Sequence, residues 1–181
     1  VPTPMYKNGQ QDQTYIHQAL EKSSNKPIYI LKSTVIPGTT HDLIKKYHDR
    51  KIVFSPEFLT ERTAKLDMLT QSRIIIGGSN ALTRKVSELF TNRFKNKNII
   101  LTDSKTAELI KYMNNTFFAT KVSIMNEFKL LCDKIGANWE DALNGFSSDG
   151  RVGDSHLNVP GHDGKFGYGG TCFPKDVNAL I

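Results

Sequence analysis

Residues 28–55, IYILKSTVIPGTTHDLIKKYHDRKIVFS, decide the predicted fold class. The apolar run at 28–33 predicts a buried strand, and the Pro37-Gly38 pair then breaks the chain. A helix is predicted over 41–50, and a second apolar strand over 51–55. Strands that alternate with helices in this way are typical of a parallel α/β sheet.

The same alternation continues on both sides of this unit. Helices are predicted over 12–24, 81–93 and 138–148, where apolar residues recur at helical spacing. Strands are predicted over 73–78 and 98–102, each a short apolar run. We therefore expect an α/β sheet region in the first part of the chain.

Residues 104–135 predict one long helix, because they contain no Gly and no Pro and are followed by Gly136, a common C-terminal stop. Apolar residues fall on two faces of this helix. The first face comprises Ile110, Met113, Phe117, Ile124, Phe128, Leu131 and Ile135, and the second comprises Leu109, Tyr112, Ala119 and Val122. A domain this small cannot easily cover both faces. We therefore expect a helix shared with a second subunit, in preference to a core helix of one chain.

Composition and charge narrow the classes of ligand and compartment. The formal net charge is +6, with Lys and Arg scattered along the chain, which favours small anions or a solvated basic surface over nucleic acid. No apolar run reaches the ~20 residues that span a bilayer. Two cysteines without a secretory signal indicate a reducing compartment, hence the cytoplasm. The five histidines lack metal-ligand spacing, so we expect no metal.

Cys172 is the candidate nucleophile. It follows a glycine-rich loop over 149–171 and precedes Pro174, where we predict that a helix begins. A helix N-terminus stabilises a thiolate, and Asp176 would lie one helical turn further on. A purely structural loop cysteine is the alternative. Cys132 lies within an apolar helix and is expected to be a small buried side chain.

Polar residues at strand ends and on the long helix are further candidates. Lys111 and Asn115 are spaced i, i+4 and therefore share a helix face. Glu57 and Glu61 follow one predicted strand and the pair Ser33-Thr34 ends another, and α/β sheets bind ligands at the carboxyl ends of their strands. A solvated surface, or turn and capping roles, are the alternatives.

Taken in order, these segments resemble the UDP-glucose/GDP-mannose dehydrogenase family. The segments that carry the resemblance are VPTP at 1–4, KSTVIPG at 32–38, SPEFLTERTA at 55–64, AELIKYMNNTFFATKVSIMNE at 107–127 and FGYGGTCFPKD at 166–176. Within the family, the CFPKD ending and the PEFL segment resemble the UDP-glucose enzymes. The UDP-N-acetylmannosamine enzymes usually carry Val in place of the Lys.

The resemblance implies that the chain covers two of the three parts of such an enzyme. Residues 1–103 would be the C-terminal part of a Rossmann-type NAD-binding domain, whose glycine fingerprint is expected upstream. Residues 104–181 would be a central helical dimerisation region with the catalytic cysteine loop, and the C-terminal UDP-binding domain would be absent. The implied partners are NAD, a UDP-sugar and a second copy of the chain, paired through the 104–135 helix. The chain alone is expected to be inactive.

The reaction implied by the resemblance is two successive oxidations of the sugar C6 alcohol, each giving a hydride to NAD. Cys172 would hold the aldehyde as a thiohemiacetal and then as a thioester, Lys111 would stabilise the oxyanion, and Asn115 would position the sugar. Proton transfer and the attacking water are assigned to Asp176, Glu57 and Thr34. The UDP-sugar is assigned to Phe58, Leu59, Glu61, Lys111, Asn115, Arg151, Gly167, Tyr168 and Gly169. The NAD is assigned to Thr3, Pro4, Ser33, Thr34 and Glu61.

Three alternatives to this interpretation stay open. The first is a GDP-mannose dehydrogenase of the same family. The second is a nucleotide-sugar-binding or dimerisation module without activity. The third is a cysteine hydrolase, although no His lies near Cys172 in the sequence. Arg151 resembles the arginine that, in the family, reaches the substrate of the neighbouring subunit.

Overall fold

The computed structural model describes residues 3–6 and 10–180, except for the side chain of Glu61. The first two residues of the VPTP segment lie outside the described residues. Within the described part, the elements are α1 (Thr14–Glu21), β1 (Ile28–Leu31), α2 (Thr39–Lys46), β2 (Lys51–Phe54), a 3₁₀ turn (Glu61–Thr63), α3 (Ala64–Thr70), β3 (Arg73–Gly77), α4 (Asn80–Arg93), β4 (Asn98–Thr102), α5 (Ser104–Ile135), α6 (Trp139–Ser147) and α7 (Cys172–Asn178).

The sequence prediction missed two elements and placed the start of a third too late. The helix α3 and the 3₁₀ turn before it were not predicted. The helix α7 begins at Cys172, two residues before the predicted start at Pro174. The early N–H groups of any helix have no partner within the helix, so a proline marks its first turn and not its first residue.

The chain divides into two compact units. The first comprises the residues up to Met113 together with Leu180, and the second comprises Asn114 to Ala179. The boundary falls inside α5. The domain boundary expected from the sequence, between 103 and 104, stays a prediction.

The sheet in the first unit has the strand order β1-β2-β3-β4. The pairs β1/β2 and β3/β4 are parallel, as predicted. The pair β2/β3 is antiparallel, with Phe54 opposite Gly77, so the predicted parallel α/β sheet is mostly parallel, with one antiparallel pair. A parallel crossover needs a helix packed on the sheet, whereas every residue of α3 between these strands is at least partly exposed.

Both faces of this sheet are buried, which explains why its strands are continuous apolar runs. On one face, Ile52 and Phe54 of β2 pack in a cluster with residues of α1 and α2. On the other face, Val53 packs with Ile76 and with Val86 of α4. The two layers therefore hold the carboxyl ends of β1 and β2 at one edge of the sheet.

The helix α5 has the predicted bounds. It ends at Ile135, where Gly136 takes a φ of +71° and the Ala137 N–H donates to the Cys132 carbonyl at 3.0 Å. Its first turn packs closely on β3, because a Cβ on Gly77 would lie 2.5 Å from the Ala107 Cβ. Glycine at this position is what permits the approach.

In the second unit, the glycine-rich loop packs against α5 and α6. Leu157 and Val159 of the loop form a buried cluster with Met125 of α5, and Trp139 of α6 packs against it. The loop is therefore ordered by a small apolar core of its own. Among residues 3–6 and 10–180, no helix combines the length and apolar character needed to cross a membrane.

Candidate active site

The second unit presents Cys172 at the surface. Its thiol is exposed at the first position of α7. Cys132, by contrast, is buried within α5, and its Sγ donates to the Ala137 carbonyl at 3.2 Å. The contrast between an accessible and a buried thiol agrees with the prediction for Cys132.

A buried polar pair joins α5 to α7. Asp176 is fully buried, and its Oδ2 accepts a hydrogen bond from Asn115 Nδ2 at 2.5 Å. Lys175 Nζ donates to the other carboxylate oxygen, Oδ1. Buried carboxylates are stable only when paired in this way. The structure thus joins two residues that are 61 positions apart and that the sequence had named as candidates.

Two side chains of α5 hold the loop that leads to Cys172. Lys121 Nζ donates to the carbonyls of Val152 and Gly153, at 3.1 and 2.9 Å. Asn126 Oδ1 accepts the Gly167 N–H at 2.8 Å. Gly167 is therefore fixed by its main chain. The neighbouring Tyr168 is half-buried and Gly169 is exposed, so backbone and ring stay accessible to a ligand.

His156 fastens the same loop by ring contacts. Its imidazole stacks on Phe118 of α5, with centroids 4.1 Å apart, and lies 5.6 Å from the ring of Phe173, the residue after Cys172. Burial lowers the pKa of His156, and the positive charge of Lys121 lowers it further. His156 was not predicted as a site residue from the sequence, because only the fold brings it beside two aromatic rings.

In the first unit, Lys111 lies over an aromatic ring. Its side chain is buried, and its Nζ is 5.2 Å from the centroid of the Phe58 ring. If the β2/β3 register is continued, Phe58 comes opposite Arg73, whose guanidinium carbon is 4.7 Å from the same ring. Phe58 and Arg73 also line a shallow surface cleft with Gln71 and Ser72.

The segment after β2 carries the candidates Glu57, Leu59 and Glu61. Glu57 is exposed and Leu59 is half-buried. The Glu61 side chain lies outside the described residues. Lys32, which follows the last residue of β1, donates from Nζ to the Ser55 carbonyl at 3.2 Å. Burial lowers the pKa of Lys32, and the negative charge of Glu57 acts in the opposite direction.

The cofactor candidates meet at the Thr34 carbonyl. It accepts the Thr3 hydroxyl at 3.0 Å and Gln11 Nε2 at 2.6 Å, and Ser33 precedes it at the end of β1. The Pro4 carbonyl accepts the Asp12 N–H at 2.7 Å. The Gln11 Oε1 atom is buried and has no hydrogen-bond partner within the described residues.

Glu108 is a second residue that sequence reasoning missed. It is fully buried, and its carboxylate accepts the main-chain N–H groups of Gly38 and Thr40 at 2.6 and 2.7 Å. The available signal was a charged residue one turn before Lys111, within an otherwise apolar stretch.

Arg151 is not joined to the other candidates. It is exposed, and its Nε donates to Asp149 Oδ1, in its own loop, at 2.9 Å. This contact lowers the pKa of Asp149. For the part of the chain that the structure describes, no group of three or more His, Cys, Asp or Glu side chains could hold a metal ion.

Comparisons with known proteins cover the whole chain. The NAD binding domain of the UDP-glucose/GDP-mannose dehydrogenase family matches residues 1–95, and the central domain of that family matches residues 105–181. A UDP-glucose 6-dehydrogenase of Rickettsia bellii (strain RML369-C) is 38% identical over 99% of this chain and 43% of that protein.

Two solved structures have the same fold as the chain. A UDP-glucose dehydrogenase from the hyperthermophilic archaeon Pyrobaculum islandicum gives a TM-score of 0.86 at 29% identity, over 100% of this chain and 44% of that one. A UDP-D-ManNAc dehydrogenase from Pyrococcus horikoshii gives 0.83 at 28% identity, over 99% of this chain and 44% of that one. The chain thus spans less than half the length of these relatives.

Proposed function

The chain belongs to the UDP-glucose/GDP-mannose dehydrogenase family, and from that we propose that its full-length protein oxidises UDP-glucose to UDP-glucuronate with two NAD. The curated relative at 38% identity is named for UDP-glucose. The Lys of the CFPKD ending, Lys175, also favours UDP-glucose over UDP-N-acetylmannosamine.

One observation in the second unit carries the proposal. An exposed thiol opens α7, while one turn further along the same helix a buried carboxylate is held by an amide from α5. The exposed Cys172 is accessible to an aldehyde. The buried Asp176 fixes the helix that presents it. A cysteine with a purely structural role would not need an exposed thiol or a helix fixed by a buried carboxylate.

Cys172 is the nucleophile in this proposal. Its thiolate adds to the C6 aldehyde of the sugar, which forms a C–S bond and places negative charge on the former carbonyl oxygen. Loss of a hydride from that carbon leaves a thioester. Water then adds to the thioester carbon, and the C–S bond breaks to release the carboxylate and restore the thiolate. Bound NAD supplies the hydride acceptor for each of the two oxidations.

Residues of the first unit are proposed to stabilise the charged intermediates and to transfer protons. Lys111 is proposed to stabilise the oxyanion, since a buried ammonium interacts more strongly with developing charge than an exposed one does. Glu57 and Thr34, at the carboxyl ends of β2 and β1, handle protons and the attacking water, together with Asp176 of the second unit. Asn115 positions the sugar.

The residues that hold substrate and cofactor follow from the family resemblance and from local geometry. For the UDP-sugar they are Phe58, Leu59, Glu61, Arg151, Gly167, Tyr168 and Gly169, with Lys111 and Asn115. For NAD they are Thr3, Pro4, Ser33, Thr34 and Glu61. The first unit suits a nicotinamide: the buried Gln11 Oε1 beside Thr34 lacks a donor among the described residues, and a carboxamide N–H is such a donor.

The full-length protein is proposed to form a homodimer through α5. Six apolar residues on one face of this helix are each at least half exposed in the single chain: Met113, Phe117, Ile124, Phe128, Leu131 and Ile135. A two-fold axis would pair this face with its copy, as isologous contacts require. Arg151, exposed in the single chain, would then serve the substrate of the neighbouring subunit.

The test is a substrate panel with the full-length protein. We expect two NADH per UDP-glucose consumed, and a kcat/KM for UDP-glucose at least about tenfold above those for GDP-mannose and UDP-N-acetylmannosamine. A preference for GDP-mannose would replace the substrate assignment with its family alternative. Nucleotide-sugar binding without NADH formation would favour a module without activity.

A further inference from the structure

Glu108 links two parts of the first unit that the proposed chemistry uses. Its Oε2 accepts the Gly38 N–H at 2.6 Å and its Oε1 accepts the Thr40 N–H at 2.7 Å. We propose that Glu108 is a positioning residue for the oxidation, because it ties the segment that carries Thr34 to the turn of α5 that carries Lys111. This inference rests on the proposed function, which gives Thr34 and Lys111 their roles.

The carboxylate replaces the usual cap of α2. The N-cap position of this helix is Gly38, which has a φ of +108° and no side chain with which to accept the first N–H groups. Ser, Asp or Asn normally supply that acceptor from the N-cap itself. Here the acceptor comes from α5, 70 residues further along the chain. The start of α2 is therefore fixed relative to α5.

The segment between β1 and α2 is held at both ends. At one end, the Thr34 carbonyl accepts Thr3 Oγ1 and Gln11 Nε2. Next to it, Val35 is fully buried in the sheet core. At the other end, Glu108 holds Gly38. If Glu108 released its end, the segment would lose the two hydrogen bonds that join its main chain to this side chain of α5.

On α5, Lys111 lies three residues after Glu108, on the neighbouring turn of the same side. The helix cannot slide along the sheet here, because Ala107 already touches Gly77 too closely for a Cβ to fit. Glu108 therefore fixes the position of the Thr34 segment relative to α5. Displacements of about 1 Å are enough to cost roughly a hundredfold in rate when catalytic groups must converge.

The burial of this carboxylate offsets part of the stability that its hydrogen bonds contribute. Burial raises the pKa of Glu108, although the hydrogen bonds from Gly38 and Thr40 act to lower it. A raised pKa means that the folded state disfavours the ionised form, so the charge at this site reduces the stability of the fold at neutral pH. Loss of the charge should therefore affect turnover more than unfolding.

The experiment is Glu108→Gln in the full-length protein. Gln has the same shape but accepts only one of the two N–H groups and turns its own NH₂ toward the other. We expect kcat with UDP-glucose to fall by about tenfold to a hundredfold, with KM changed less than about threefold. We expect Tm to change by less than about 4 °C. Amide hydrogen exchange at Gly38 and Thr40 should become faster.

Asp103→Asn is the matched control. Asp103 also accepts a main-chain N–H, that of Thr106 at 2.9 Å, at the start of the same helix, but it is exposed and does not contact the segment of Thr34. Its kcat should stay within about twofold of wild type. If Glu108→Gln does not fold, Glu108→Asp keeps the charge on a shorter side chain and should give an intermediate kcat.

The outcomes separate this inference from the proposed function. Wild-type kcat in the Glu108 variants, with faster exchange at Gly38 and Thr40, would overturn the positioning role and leave the dehydrogenase assignment intact. Equal losses of kcat in the Glu108→Gln and Asp103→Asn proteins would also overturn it. A wild-type protein that forms no NADH with any nucleotide sugar would defeat the proposed function and, with it, this inference.

Discussion

The two faces of α5 differ from those of an ordinary amphipathic helix, because its buried face carries polar side chains beside apolar ones such as Tyr112 and Ala119. One face carries polar side chains that are buried: Glu108, Lys111, Asn115 and Asn126. The other carries large apolar side chains, from Met113 to Ile135, that are at least half exposed. An ordinary surface helix buries its apolar stripe and leaves the polar one in solvent.

The buried polar side chains and the exposed apolar ones indicate two different uses of one helix. Buried polar groups are costly, and each of these has a structural or chemical partner, such as Asp176 for Asn115. Large exposed apolar patches mark surfaces that another molecule covers. Under the proposed function, the polar face would serve the active site and the apolar face the dimer, and substitutions can test the two faces separately.

The largest expected effect is on the polar face. Lys111→Met keeps the aliphatic stem and removes the charge, so the oxyanion loses its stabilising group. Steady-state NADH formation by the full-length protein should show a fall in kcat of roughly 10²–10³. Lys105→Met, exposed on the same helix, is the control and should retain wild-type kcat. A kcat for Lys111→Met within threefold of wild type would remove this residue from the chemistry.

The second effect belongs to the apolar face. Phe128→Glu places a charge in the centre of the proposed interface, and the dissociation constant of the full-length dimer should rise by about thirtyfold or more. Analytical ultracentrifugation over micromolar concentrations measures this. Glu127→Gln, at the adjacent exposed position, should leave the constant unchanged. A wild-type protein that stays monomeric throughout would show that the apolar face has another use.

The third prediction concerns two neighbouring residues of α5, Phe117 and Phe118, and has a small expected effect on thermal stability. Phe117 is exposed, whereas Phe118 is covered by His156. Because the folded-state pKa of His156 is lowered, its contribution to stability is present above the unfolded pKa of about 6.5 and is lost as pH falls through the lowered value.

His156→Phe keeps a ring on Phe118 but cannot be protonated. The fall in Tm between pH 7.5 and pH 5.5 should therefore be smaller than in wild type, by about 2 °C or less, because the site is partly solvated. His162→Asn, at an exposed position of the same loop, should leave that fall unchanged. A fall as large in His156→Phe as in wild type would mean that another group causes it.

Much of the fold could be predicted from the sequence, because local patterns determine local structure. The apolar runs predicted each strand, and the absence of Gly and Pro with Gly136 as a stop predicted α5 to the residue. The direction of β3 could not be predicted in this way. The direction depends on whether α3 packs on the sheet, and the sequence of α3 alone does not indicate this.

The candidate site shows the same limit. Cys172 and Asp176 share one motif, and the sequence singled out Asn115 as well, yet only the fold shows Asn115 bonded to Asp176. Glu108 and His156 were missed because their partners are distant in sequence: Gly38 lies 70 residues from Glu108. Long-range contacts of this kind leave no periodic signal in a single sequence.

In the proposed mechanism, Cys172 holds the sugar covalently through the second oxidation. The most direct measurement is mass spectrometry of the full-length protein, quenched during turnover of UDP-glucose and NAD, with Glu57→Gln used to slow hydrolysis. We expect a UDP-glucuronyl thioester on the peptide that contains Cys172, none on the peptide that contains Cys132, and none without NAD. UDP-glucuronate formed with no acyl group on Cys172, or formed at an undiminished rate by Cys172→Ser, would contradict it.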